Sequence, residues 1–81
     1  MAVNIIPLHR LPVGGTGVVR NLLANGPIRR RLLDLGLVNN TSVEALLKSP
    51  VGDPVAYKIR GAVIALRSEE AQTIFVEPQG D

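Results

Sequence analysis

Over most of the second half of the chain, apolar and polar positions alternate with a period of two. Val55, Tyr57 and Ile59 alternate with Ala56, Lys58 and Arg60, the pattern of a half-buried strand. Ser42 to Ser49 sets Val43, Ala45 and Leu47 against Ser42, Glu44 and Lys48, and Leu46 breaks the polar set. Between these two strands, Ser49-Pro50-Val51-Gly52-Asp53-Pro54 is dense in turn residues. Gly61 marks a tight reversal into an apolar strand from Ala62 to Arg67. Ser68-Glu69-Glu70-Ala71 reads as one helical turn with Ser68 as its cap. Thr73 to Glu77 reads as a last strand.

The first half has a different rhythm. Pro7 and Pro12 forbid a helix interior and confine any strand there to an edge. Leu8 and Leu11 are expected to pack as a short lead-in. After the double glycine Gly14-Gly15, Thr16 to Leu23 reads as a strand. Ala24 to Leu37 carries the clear helix signal. Asn25 or Gly26 can cap it, Pro27 suits the first helical position, and Gly36 offers a left-handed stop. Ile28, Leu32 and Leu35 recur at helical spacing and predict one apolar stripe. The expectation is a mostly β domain: about five short strands, one short α-helix between the first two, and a helical turn before the last. Short antiparallel strands in so small a chain favour a closed or nearly closed barrel.

Length and composition narrow the function. Eighty-one residues make one domain, with residues 1–7 and 78–81 expected as loose tails. The chain has no cysteine, one histidine (His9), one tyrosine (Tyr57), one phenylalanine (Phe75) and no tryptophan. That excludes a disulfide framework, a thiol nucleophile and a thiolate metal site. Two aromatics make a poor stacking platform for single-stranded nucleic acid. His9 lacks an orienting partner motif and reads as a surface histidine. Gly14-Gly15-Thr16-Gly17 is followed by neither a lysine nor a helix, so it fails the phosphate-loop pattern. No acidic spacing matches a calcium loop. A weak metal site made by His9 and acids between chains stays open. No basic stretch with a long apolar run opens the chain, so no signal peptide is expected. The longest apolar run, Ala62 to Leu66, is far short of the ~20 residues of a spanning helix. The expectation is a cytoplasmic, non-catalytic protein with no cofactor.

Charge adds a further clue. The net charge is only +2, but its distribution is lopsided. Met1 to Leu33 holds Arg10, Arg20, Arg29, Arg30 and Arg31 and no acid; after Arg67 come Glu69, Glu70, Glu77 and Asp81 and no base. Either the fold pairs the two ends of the chain, or the surface is dipolar. The triplet Arg29-Arg30-Arg31 is expected in the first turn of the helix, where the dipole disfavours cations by about 0.3–1 kcal/mol each. Asp34 follows Arg30 by four residues, the less favourable order for an ion pair. Such a local conflict marks a candidate site. The competing reading is that these arginines reach carboxylates elsewhere, such as Glu69 and Glu70.

The same residues carry a resemblance. Arg29-Arg30-Arg31-Leu32-Leu33-Asp34-Leu35-Gly36-Leu37 resembles the R-R-L-x-x-L-G helix of the FeoA family. Leu8-x-x-Leu11-Pro12-Val13-Gly14-x-x-Gly17 is similar to that family's opening, and Ser49 to Val55 to its A-P-L-G-D-P-I loop. Ile59-Arg60-Gly61 and Ile64 to Ala71 resemble its last hairpin. The resemblance implies an SH3-like barrel. It also implies a small accessory protein of ferrous-iron transport that docks on the cytoplasmic, nucleotide-binding part of a FeoB-type transporter and modulates its uptake. Candidate contact residues are Arg29, Arg30, Arg31 and Asp34, the loop residues Val51, Gly52 and Asp53, and Leu46 as an exposed apolar anchor. The alternative is a stand-alone regulatory domain akin to the SH3-like domain of iron-dependent repressors, with weak transition-metal or nucleic-acid binding. Self-association is left open.

Overall fold

The computed structural model describes residues 4–80. Strand β1 (Ile6–Pro7) leads through a 3₁₀ turn (Leu8–Arg10) to β2 (Thr16–Leu22), and helix α1 (Gly26–Asp34) follows. Then come β3 (Ser42–Lys48), β4 (Val55–Ile59), β5 (Ala62–Leu66), helix α2 (Ser68–Ala71) and β6 (Ile74–Gln79). The six strands form one sheet in the order β1-β6-β2-β3-β4-β5, every neighbouring pair antiparallel. The mostly β plan and the helical turn before the last strand are as expected; the two-residue β1 is a sixth strand ahead of the expected five, so α1 lies between the second and third strands rather than the first two.

The chain ends differ from expectation. Ile6 and Pro7 pair with Val76 and Phe75, while Pro78 and Gln79 pair with Gly17 and Thr16. These residues are strand rather than tail, because β6 is held on both sides; the rest of the expected tails includes residues 1–3 and 81, which lie outside the described residues. Pro7 sits on the outer strand, where its missing N–H costs no ladder bond.

One core joins the sheet to the helices. Leu8, Leu32, Leu37, Ile59, Leu66, Ile74 and Val76 are fully buried, with Val19, Val43, Ala45 and Tyr57 beside them. Leu8 and Leu11 therefore do pack inward. His9, read as a surface residue, is half-buried in the 3₁₀ turn, and its Nδ1 has no hydrogen-bond partner.

Helix α1 starts where its sequence predicts, with Asn25 at the N-cap in extended conformation before Gly26 and Pro27, but the Asn25 side chain makes no capping hydrogen bond. It stops at Gly36, whose φ of 101° is the left-handed geometry glycine adopts without penalty. The Leu37 N–H donates to the Leu32 carbonyl and the Gly36 N–H to that of Leu33, closing a Schellman cap. The Arg60 stem crosses directly over Gly36, where a Cβ would lie 3.2 Å from Arg60 Cδ. The apolar stripe is only partly realised: Leu32 is buried and Leu35 half-buried, but Ile28 at the helix start is exposed.

Two bulges re-aim side chains. The β2–β6 register slips at Arg20 and the β3–β4 register at Leu46. An extra residue flips the alternation that follows it. Leu46 therefore turns half inward and Leu47 is left 60% exposed. The expectation that Leu46 is exposed is corrected: it is half-buried, and the exposed apolar side chain at this point of β3 is Leu47.

Candidate functional site

Two shallow depressions flank α1. One, about 390 Å³, is lined by Gly26, Arg29, Arg30, Leu33 and Asp34, successive positions on a single helix face. The other, about 290 Å³, lies between α1 and β2, and Arg20, Arg29 and Leu33 are on its wall. Arg29, Arg30 and Asp34 are thus brought together around the partly exposed Leu33, which the sequence pattern did not single out. Leu33 sits beside the buried Leu32, and a nine-residue helix with one buried face leaves such a neighbour outside.

The three arginines have separate fates. Arg29 Nη1 donates to the Leu22 carbonyl at 2.8 Å, tying the helix to the end of β2. Arg31 forms an ion pair with Glu70 and so ties α1 to α2. Arg30 has no side-chain partner among the described residues. Because α1 begins at Gly26, only Arg29 falls in the first turn, and Arg31 falls in the last, where the dipole favours a cation. The expectation that all three occupy the disfavoured first turn is corrected.

The lopsided charge is resolved partly inside the fold. Arg20 Nε meets Glu77 Oε1 at 2.9 Å, and Arg31 meets Glu70, so basic residues of the first half pair with acidic residues of the last segment. Glu70 also accepts the Arg67 N–H at 3.2 Å. Its side chain is only 14% exposed.

The β3–β4 loop does not contribute to either depression beside α1. Its Gly52 N–H donates to the Ser49 carbonyl and the Ser49 N–H to that of Pro54, closing the hairpin. Val51 at its tip is 86% exposed. Asp53 is half-buried and its Oδ1 accepts the Ser68 N–H at 2.7 Å. The cap of α2 thus comes from Asp53, not from the Ser68 side chain. The same carboxylate acts on Tyr57, whose pKa rises from 10.0 to about 12, first through burial of the phenol and second through the Asp53 charge. Tyr57 is 1% exposed and offers no aromatic surface to a ligand.

Among the described residues no three His, Asp or Glu side chains cluster in a way that could hold a metal ion. No helix there is long and apolar enough to cross a membrane.

Known proteins share this architecture. A Clostridium acetobutylicum FeoA-like protein superposes with a TM-score of 0.89 at 31% identity, over 100% of this chain and 93% of that one. A zinc-complexed Stenotrophomonas maltophilia FeoA, described as a prokaryotic SH3 domain protein, superposes with a TM-score of 0.73 at 36% identity, over 86% and 87% of the two chains. The fold is therefore an SH3-like barrel. In sequence, a Porphyromonas gingivalis fusion of Fe(2+) transport protein A with the Fe(2+) transporter FeoB is 33% identical over 70 residues. That match takes in 86% of this chain but only 8% of the much longer fusion protein. The FeoA domain model matches residues 6–78, and the chain belongs to the FeoA family.

Proposed function

We propose that this chain is a non-catalytic, cytoplasmic accessory protein of ferrous-iron uptake, which docks on the cytoplasmic part of a FeoB-type transporter and modulates it. The observation that carries this reading is the Porphyromonas protein, in which a related domain is covalently joined to a FeoB transporter. A domain fused to a transporter in one organism is a natural partner of that transporter in another.

The docking surface we assign is the outer face of α1. Arg30 presents there a cation with no side-chain partner among the described residues, with Leu33, Asp34 and the exposed Ile28 on the same short helix. Val51 is a second exposed apolar contact on the β3–β4 loop. Arg29, Arg31 and Asp53 act in this reading by holding the helix and loop in place, since each already has a partner within the chain. Only one arginine of the triplet remains to meet a polyanion, which weakens the nucleic-acid part of the alternative reading.

The test is a calorimetric titration against the transporter's soluble cytoplasmic domain, with and without guanine nucleotide. Arg30→Glu is expected to weaken binding about tenfold, more at low salt. Unchanged affinity would remove Arg30 from the contact, and absence of binding by the unaltered chain would overturn the docking reading itself.

A further inference from the structure

The two ends of the sheet are protected very unequally. β1 is two residues long and contains Pro7, both of which discourage a further strand. β5, Ala62-Val63-Ile64-Ala65-Leu66, has five residues, no charge, no proline and no register shift against β4. It is last in the strand order, so one row of its backbone N–H and C=O groups has no strand to meet. The tight turn that starts it, Arg60-Gly61 with both φ positive, is a two-residue hairpin that holds β5 in line with β4.

One row of the outer face leading to this edge is apolar, while the next row, Glu44–Lys58–Val63, carries two charges. Leu47, Ala56 and Ala65 are directly opposite one another across β3, β4 and β5. Leu47 is 60% exposed and Ala65 is exposed, and so is Val63 at 65%, one outward position along β5.

We propose that the β5 edge is a self-association surface, where a second copy of this chain adds its own β5 antiparallel about a two-fold axis at Ile64. An extended strand satisfies the free backbone groups. The choice of a second copy rests on self-complementarity. A two-fold axis normal to the sheet keeps each side chain on its own face, so Ile64 meets Ile64 of the other copy. Val63 then meets Ala65, and Ala62 meets Leu66. All five residues pair, each with an apolar partner. The row Leu47–Ala56–Ala65 of one copy runs on into Val63 of the other, covering the exposed large side chain of the strand. No like charges are set directly opposite along β5, the arrangement that penalises edge pairing elsewhere. A contact of five residues per chain is well below the ~1,200 Å² of a standard interface, so the dimer is a weak one. This inference does not depend on the transport role.

Sedimentation equilibrium of the full chain from about 20 μM to about 1 mM is the test, because weak dimers populate only in that range. The expected result is a rise from monomer towards dimer mass. Val63→Lys, a substitution at an exposed site beside Lys58, is expected to raise the dissociation constant about tenfold. Val13→Lys, the same change at an exposed valine outside β5, is expected to leave it unchanged. Amide exchange in β5 should slow with concentration. A monomer at every concentration, or dimerisation that Val63→Lys leaves intact, overturns the proposal. So does β5 amide protection that appears only when the transporter domain is added, since the edge would then belong to a different strand.

Discussion

Reversing the charge of Arg31 separates the arginine that holds the fold from the one that does not. In the native chain the Arg31 guanidinium meets the Glu70 carboxylate, joining α1 to α2. The Arg31 side chain is 51% exposed, so solvent screens the pair, while Glu70 at 14% is well covered. The upper end of the surface range applies, about 1 kcal/mol of attraction. Arg31→Glu loses that attraction and sets two carboxylates together, a repulsion of similar size. The expected cost is about 2 kcal/mol, which in a domain of this size lowers Tm by roughly 8–16 °C. Arg30→Glu is the matched control, with the same helix, the same change of net charge and no native side-chain partner among the described residues. Its effect is expected to stay within about 0.5 kcal/mol. Thermal unfolding followed by far-ultraviolet circular dichroism reads both. Repeating the melts in 1 M salt, where the Debye length is about 3 Å, should shrink the Arg31 deficit. If the two variants melt together at low salt, the division of roles between Arg30 and Arg31 is wrong.

Two further outcomes follow from the loop and the helix stop. Tyr57 is the only tyrosine, so its phenolate absorbance reports one group. Its pKa of about 12 lies above the 10.0 of a free tyrosine; the stability this shift contributes is complete below pH 10 and falls away as pH rises towards about 12. Asp53→Asn keeps an oxygen for the Ser68 N–H but removes the charge, so the phenol should titrate lower than in the native chain while staying above 10.0, because burial is the larger cause. Titration at an unshifted position would show that Asp53 does not act on the ring. Gly36→Ala forces a side chain into a left-handed position under the Arg60 stem. It should cost about 1–2 kcal/mol, read as a lower urea midpoint with unchanged slope; an unmoved midpoint would mean that the helix ends differently in solution.

What was legible in the chain was what neighbouring residues decide. Asn25, Gly26 and Pro27 mark the start of α1, and Gly36 marks its stop, because the backbone geometry of a helix end is set within a few residues. The alternation of Val55, Tyr57 and Ile59 survives intact because β4 carries no bulge of its own. Leu47 reads as inward because the bulge at Leu46 is a matter of hydrogen-bond register with β4; the break that Leu46 makes in the polar set is its one trace in the sequence, and it does not say which of the two leucines turns outward. The cap on Ser68 was assigned to its own hydroxyl, the nearest candidate, while the actual acceptor, Asp53, comes from the preceding hairpin loop. The candidate site was legible as a helix with too many cations. Which cation stays free was not, since the answer depends on where Leu22 and Glu70 arrive in space.

That division bears on what the triplet is for. A cation in the first turn of a helix is locally unfavourable, and Arg29 accepts that position while supplying a donor to the Leu22 carbonyl. Arg31 is in the last turn, where the dipole assists it, and it holds the second helix. Both are accounted for by the fold. Among the described residues Arg30 is accounted for by neither capping nor pairing, and the four-residue step to Asp34 does not produce an ion pair. Stability therefore places little demand on Arg30, and a positive charge there is free to answer to a partner. The docking face proposed above would then have rigid flanks and two uncommitted charges beside Leu33, Arg30 and Asp34, neither with a side-chain partner among the described residues. On that reasoning, binding to the transporter domain should respond to Arg30 far more strongly than folding does, and to Arg31 chiefly through folding. A double series of melts and titrations on the two positions would expose any crossing of those effects.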